Sequence, residues 1–85
     1  MIHHEKTKIQ EDGYHTDIEV TIDTSAAYGH FEICEYGDGI KYNDELIGHE
    51  EGGLWFEGQE LVDYDGTYDL HDKIKEILTN LNYTL

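Results

Sequence analysis

Between Tyr14 and Thr24 the chain alternates: Ile18, Val20 and Ile22 are separated by Asp17, Glu19, Thr21 and Asp23. A period of two puts the two sets on opposite faces of an extended chain, so this segment reads as a half-buried strand. Such a strand needs neighbours. Residues 28–36 supply one, with Phe31 and Ile33 directed inward and Tyr28, His30, Glu32, Cys34 and Tyr36 outward. Ser25 to Gly29 connects the two. Residues 2–10 are polar and are expected to form an edge strand or an arm, and Glu11-Asp12-Gly13 is a turn signal. Further on, Leu54-Trp55-Phe56 and Leu61-Val62 flank Glu57-Gly58-Gln59-Glu60, the pattern of a hairpin with Gly58 in the left-handed region. The pattern leaves the face taken by Trp55 open. Residues 37–53 hold five of the nine glycines together with Asp38, Asp44, Glu45, Glu50 and Glu51, and read as a long acidic loop with a short helical turn near 43–47.

The end of the chain changes period. Leu70, Ile74, Ile77, Leu78 and Leu81 make one apolar stripe at helical spacing. Asp69 is the expected N-cap, and Asp72 falls in the first turn, where the helix dipole favours negative charge. Strands first and a helix last imply an α+β fold: an antiparallel sheet of three to five strands with one C-terminal helix packed on one face. The other face is then wet or meets a partner. With no proline, no repeats and no low-complexity linker, residues 1–85 form a single small acidic domain.

Charge narrows the function classes. Twenty Asp and Glu stand against five Lys and no Arg, a formal charge of −15. That charge opposes direct binding to nucleic acid or to an anionic membrane, and favours a basic partner, bound cations or a need for solubility. An apolar share of 38% argues against a disordered chain. The single Cys34 cannot form an internal disulfide, and the first residues show no basic stretch followed by an apolar run. A reducing, cytoplasmic setting without a signal peptide is therefore the expectation, and no apolar run is long enough to span a bilayer.

The motifs that would carry chemistry are incomplete. In Leu61–Asp72, with Gly66 at the sixth position of a calcium loop, Asp63, Asp65, Asp69 and Asp72 fall at ligand positions three, five, nine and twelve. The first position is Leu61, the twelfth lacks the longer bidentate Glu, and a strand precedes the segment. A turn at Asp65-Gly66 leading to a capped helix explains it better. His15 and His30 on neighbouring strands, with Cys34 two outward positions further on, sketch a zinc site, yet no tight C-x₂-C or H-x₃-H spacing supports it. Solvated surface histidines are the expected reading, with no metal and no cofactor. Cys34 beside a histidine carries no nucleophile signature, and abundant carboxylates disfavour a thiolate. Nothing matches a phosphate-cradling glycine loop, and no catalytic residues are expected.

What remains is the acid itself. From Asp17 to Asp65 there are fourteen acidic residues and one basic, Lys41. Outward residues two apart on a strand are separated by roughly 6.7 Å, so Asp17, Glu19 and Asp23 form a row with Glu32 on the neighbour. Such a ridge imitates the regular charge of a nucleic-acid backbone. Tyr28, Tyr36 and Tyr42 lie beside it, and tyrosine is favoured at interfaces. The expected partner-binding set is Asp17, Glu19, Asp23, Glu32, Tyr36, Asp38, Tyr42, Asp44, Glu45, Glu50 and Glu51.

The segment Gly53-Leu54-Trp55-Phe56-Glu57-Gly58-Gln59-Glu60-Leu61-Val62-Asp63-Tyr64-Asp65-Gly66, continuing through Leu70 to the helix, resembles the tail of small acidic proteins of phages and prophages. The resemblance covers about a third of the chain and carries over no functional residues. It implies a non-catalytic inhibitor that blocks a host defence or nucleic-acid enzyme, as anti-CRISPR proteins and DNA mimics do. The expected partner is a basic host protein such as a CRISPR effector, met in the host cytoplasm by a monomer or homodimer. The alternative is a small phage structural or assembly protein that acts by self-association.

Overall fold

The computed structural model describes residues 1–38, 43–65 and 69–85. Among these, the chain forms five strands and one helix: β1 (Ile2–Glu11), β2 (Tyr14–Asp23), β3 (Tyr28–Gly37), β4 (Leu46–Glu57), β5 (Glu60–Tyr64) and α1 (Asp72–Asn80). Every strand pairs antiparallel with its neighbours in sequence, in the order β1-β2-β3-β4-β5. This is an α+β fold with the helix on one face.

The alternation at 14–24 sets the two faces. Ile18, Val20 and Ile22 of β2 meet Phe31 and Ile33 of β3 and Leu54 and Phe56 of β4. The C-terminal segment closes this layer with Leu70, Ile74, Ile77, Leu78 and Tyr83, whose ring lies 4.4 Å from that of Phe56. β1 is the edge strand that its polarity allowed, and only Ile9 of that strand packs against the core cluster.

The connections use the turn chemistry the sequence announced at Gly13 (φ 83°) and Gly58 (φ 61°), both left-handed. Asp23 makes the β2–β3 turn, its carboxylate accepting from the Ser25 backbone N–H (3.0 Å) and hydroxyl (2.6 Å). These bonds hold the Asp23 carboxyl below its ordinary pKa.

Two expectations fail. Residues 46–53 are not loop but the first two-thirds of β4, and the residues near 43–47 form no helical turn: Asn43 and Asp44 have positive φ and Leu46 begins the strand. The glycines misled because they serve packing. A Cβ on Gly52 would stand 2.9 Å from the Phe31 ring and 2.8 Å from the Asp65 Cβ, and one on Gly53 would stand 2.8 Å from the Trp55 ring. Glycine here lets bulky neighbours cross the strand. The second correction is the N-cap. His71 caps the helix, its Nδ1 accepting from the Lys73 backbone N–H at 3.0 Å, while Asp69 lies outside the helix. Imidazole fills the role that the short Asp side chain was expected to fill. Asp72 does sit in the first turn. Gly66 of the expected Asp65-Gly66 turn and Tyr42 lie outside the described residues.

The two sheet edges are treated differently. Residue Thr84 bridges Glu60 in parallel, accepting from the Leu61 N–H (2.8 Å) and donating to the Gln59 carbonyl (2.6 Å), which covers the outer edge of β5. Among the described residues no strand pairs with the outer edge of β1. No helix is long and apolar enough to cross a membrane among the described residues.

Candidate functional site

The face of the sheet away from the helix carries the chemistry. Register fixes its rows. Lys6, Glu19, Glu32 and Glu51 stand abreast across β1–β4, and Lys8, Asp17, Cys34 and His49 form the next row. On the other side come His4, Thr21, His30 and Gly53, then Ile2, Asp23, Tyr28, Trp55 and Asp63 across all five strands. Trp55 is thus on the open face, edge-on to Tyr28 at 6.1 Å between ring centroids.

Like charges directly opposite repel, and Glu19, Glu32 and Glu51 are three in a line. Each is met by a histidine from an adjacent row: His4 Nε2 to Glu19 at 2.6 Å, His49 Nε2 to Glu32 at 3.7 Å, and His30 Nε2 to Glu51 at 3.9 Å. Lys6 adds a contact to Glu19 at 3.7 Å. The hydrogen bond from His4 is the main reason that Glu19 titrates below the ordinary glutamate range, with Lys6 adding to it. The carboxylate row is therefore partly compensated at its β1 end, where Lys6 and Lys8 stand.

The expected partner-binding residues divide. Asp17, Glu19, Asp23, Glu32, Tyr36 and Glu51 share the open face. Asp38 and Asp44 gather at one end of it with His15, which stacks on Tyr36 at 5.2 Å. Asp38 also accepts from Gln10 Nε2 at 2.7 Å and lies 3.8 Å from His15 Nδ1. Glu45 is exposed beside them, its backbone carbonyl accepting from the Gly37 N–H at 2.8 Å. Glu50 does not join: it pairs with Ile33 and so belongs to the helix side of the sheet.

The sketched zinc set also changes. His15 faces Tyr36 and His30 faces Thr21, three alternations apart on the same face, so the two histidines are not neighbours. Instead Cys34 is opposite His49, a residue hidden from the sequence reading because its strand passed for loop. The Cys34 thiol donates to Glu32 Oε1 at 3.2 Å. Burial, then this hydrogen bond, pushes its pKa up, so the thiol is protonated as it stands. Beside it the open face sinks into a groove of about 410 Å³ lined by Lys6, Lys8, Asp17, Glu19, Glu32 and Tyr36 among others.

Comparison of the chain with protein-family profiles, curated proteins and solved structures finds no match in any of the three.

Proposed function

We propose that the protein is a non-catalytic inhibitor that binds a basic, nucleic-acid-binding host protein through its open sheet face and blocks the nucleic-acid site, in the manner of an anti-CRISPR or other anti-defence phage protein. The observation that carries this reading is the carboxylate grid: Glu19, Glu32 and Glu51 abreast on three strands, with Asp17 and Asp23 flanking Glu19 along β2. Strands lie about 4.8 Å apart and same-face residues about 6.7 Å apart, so the grid offers fixed negative charge at spacings that lysine and arginine side chains of a phosphate-binding groove can follow. Tyr28, Tyr36 and Trp55 on the same face supply the rigid aromatic contact that interfaces favour.

Competition tests it. The protein and the target's own DNA or RNA should exclude each other, and binding should weaken as salt rises. Exchanging Glu19→Gln, Asp23→Asn and Glu32→Gln together should slow association, while Glu50→Gln, on the other side of the sheet, should leave it unchanged. Simultaneous binding of nucleic acid and protein to the target, with the triple variant as potent as the parent, would sink the proposal.

One observation favours a second reading, self-association as an assembly protein: the outer backbone edge of the ten-residue β1 has no strand beside it among the described residues. An edge of that length is a template for another copy. Sedimentation that shows higher oligomers, broken by proline at Thr7, would select it.

A further inference from the structure

We propose that Cys34, His49 and Glu32 form a binding site for a zinc-like divalent cation, a thiolate–imidazole–carboxylate set with its fourth position left to solvent. The argument begins with register. Cys34 and His49 are directly opposed on β3 and β4. Glu32 stands two residues before Cys34 on the same face, so three donors of different kinds arise from two strands without any loop. The sulfur, an imidazole nitrogen and a carboxylate oxygen all lie within 4.8 Å of one another. Zinc bonds of about 2.0–2.3 Å to nitrogen, oxygen and sulfur put tetrahedral ligands roughly 3.3–3.8 Å apart, so small rotamer adjustments close the set around one ion.

The donor types choose the metal class. Calcium and magnesium require oxygen ligands, and one carboxylate does not make such a site. A thiolate with an imidazole selects zinc and its neighbours. Coordination exchanges the sulfur-bound proton, now donated to Glu32, for the metal: the S–H bond breaks, an S–metal bond forms, and one proton leaves to solvent. The position is also accessible, with the His49 and Glu32 side chains 43% and 42% exposed. The groove beside it gives an ion an entry path.

A second cluster, His15, Asp38 and Asp44, brings three donors equally close. It lacks sulfur, and Asp38 is already engaged by Gln10. It serves as the internal control. The inference stands apart from the inhibitor reading, since either can hold without the other.

Cobalt is the probe, because a thiolate bound to Co²⁺ gives a charge-transfer absorption in the near ultraviolet that oxygen and nitrogen ligands do not give. The reduced protein titrated with Co²⁺ should show this band, saturating at one equivalent, and Zn²⁺ should displace it. Cys34→Ser should abolish the band. His49→Ala and Glu32→Gln should each weaken binding by at least about tenfold, since loss of a direct ligand costs no less than loss of an outer partner. His15→Ala should leave it unchanged. Circular dichroism establishes that each variant is folded. A missing band in the parent, or a band that survives His49→Ala and Glu32→Gln at undiminished affinity, would overturn the proposal; the latter would mean a cysteine binding the ion adventitiously.

Discussion

The strand β4 has two halves that obey different rules. Gly52, Leu54 and Phe56 are buried on the helix side, whereas Leu46–Glu51 runs beyond the helix with side chains mostly in water. Leu46 and Ile47, 55% and 54% exposed, are surface residues in spite of their type. Both halves pair with β3 in the same ladder, broken only by a register shift near Glu35. A helix of nine residues spans about 13.5 Å, while ten-residue strands run about 33 Å, so one helix cannot roof the whole sheet. The ladder carries the sheet past its own core. Structure at the covered end is held by burial, and at the bare end more by the backbone ladder, with surface side-chain contacts such as Gln10 to Asp38 and His15 on Tyr36. The convergent side chains, Cys34 with His49 and His15 with Asp38 and Asp44, sit at the bare end.

The largest test of this division is Phe31→Ala at the covered end. It should lower the unfolding free energy in urea by about 3–5 kcal/mol, while Glu50→Ala on the bare half should change it by less than about 0.5 kcal/mol. Similar losses at both would erase the distinction. Glycines extend the contrast. Gly52→Ala drives a Cβ against Phe31 and the Asp65 Cβ, and should cost about 1–3 kcal/mol. Gly48→Ala meets only the flexible end of Glu35 at 3.2 Å, and should cost clearly less in the same melt. Hydrogen exchange reads the halves without mutation: amides of 52–56 should open only with global unfolding, and those of 46–51 through cheaper local opening.

Two smaller effects concern the open face. Glu32→Gln removes a charge that opposes both Glu19 and Glu51 across the strands. Stability at low salt should rise by about 0.2–1 kcal/mol, and added sodium chloride should raise the melting midpoint of the parent more than that of the variant. A fall in stability would mean that the contact of His49 with Glu32 outweighs the repulsion. The smallest effect is a titration. The Glu19 carboxyl, depressed chiefly by His4, should titrate by NMR below the ordinary glutamate value of about 4.3, and His4→Ala should move it back up. Its folded pKa being the lower one, Glu19 contributes stability that is complete above the ordinary value and is lost as pH falls through the depressed one.

The same division explains what the sequence could say. At the covered end, residues announce their faces: Ile18, Val20 and Ile22 alternate because one side must be dry, and Ile74, Ile77 and Leu78 recur at helical spacing for the same reason. At the bare end both faces are wet, so Leu46–Glu51 carries no period and reads as loop. With that strand lost from view, His49 could not be placed opposite Cys34, and His30, set in the wrong row, took its place. The acid row on β2 was legible because the core-facing residues between its members fixed their direction. The opposition of Glu19, Glu32 and Glu51 was not legible, since it depends on register across two turns. Asp69 had the chemistry of a cap, but the helix starts at Asp72, and the cap belongs to whichever side chain stands just before that first turn.

The placement of the helix has a consequence for how the chain is made. Among the described residues, five of the twelve buried apolar residues lie in the segment Leu70–Tyr83, after the five strands. On the ribosome the meander can zip hairpin by hairpin as it emerges, because each strand pairs with the one before it. Its greasy side, with Phe31, Leu54 and Phe56, then waits uncovered until the final segment arrives. Half-made sheets of this kind stick to one another at such faces. Charge that weakens the finished fold keeps these nascent chains apart, for the strands hold most of the carboxylates. The carboxylates that mark the finished surface would thus repel half-made sheets from one another before the roof is on.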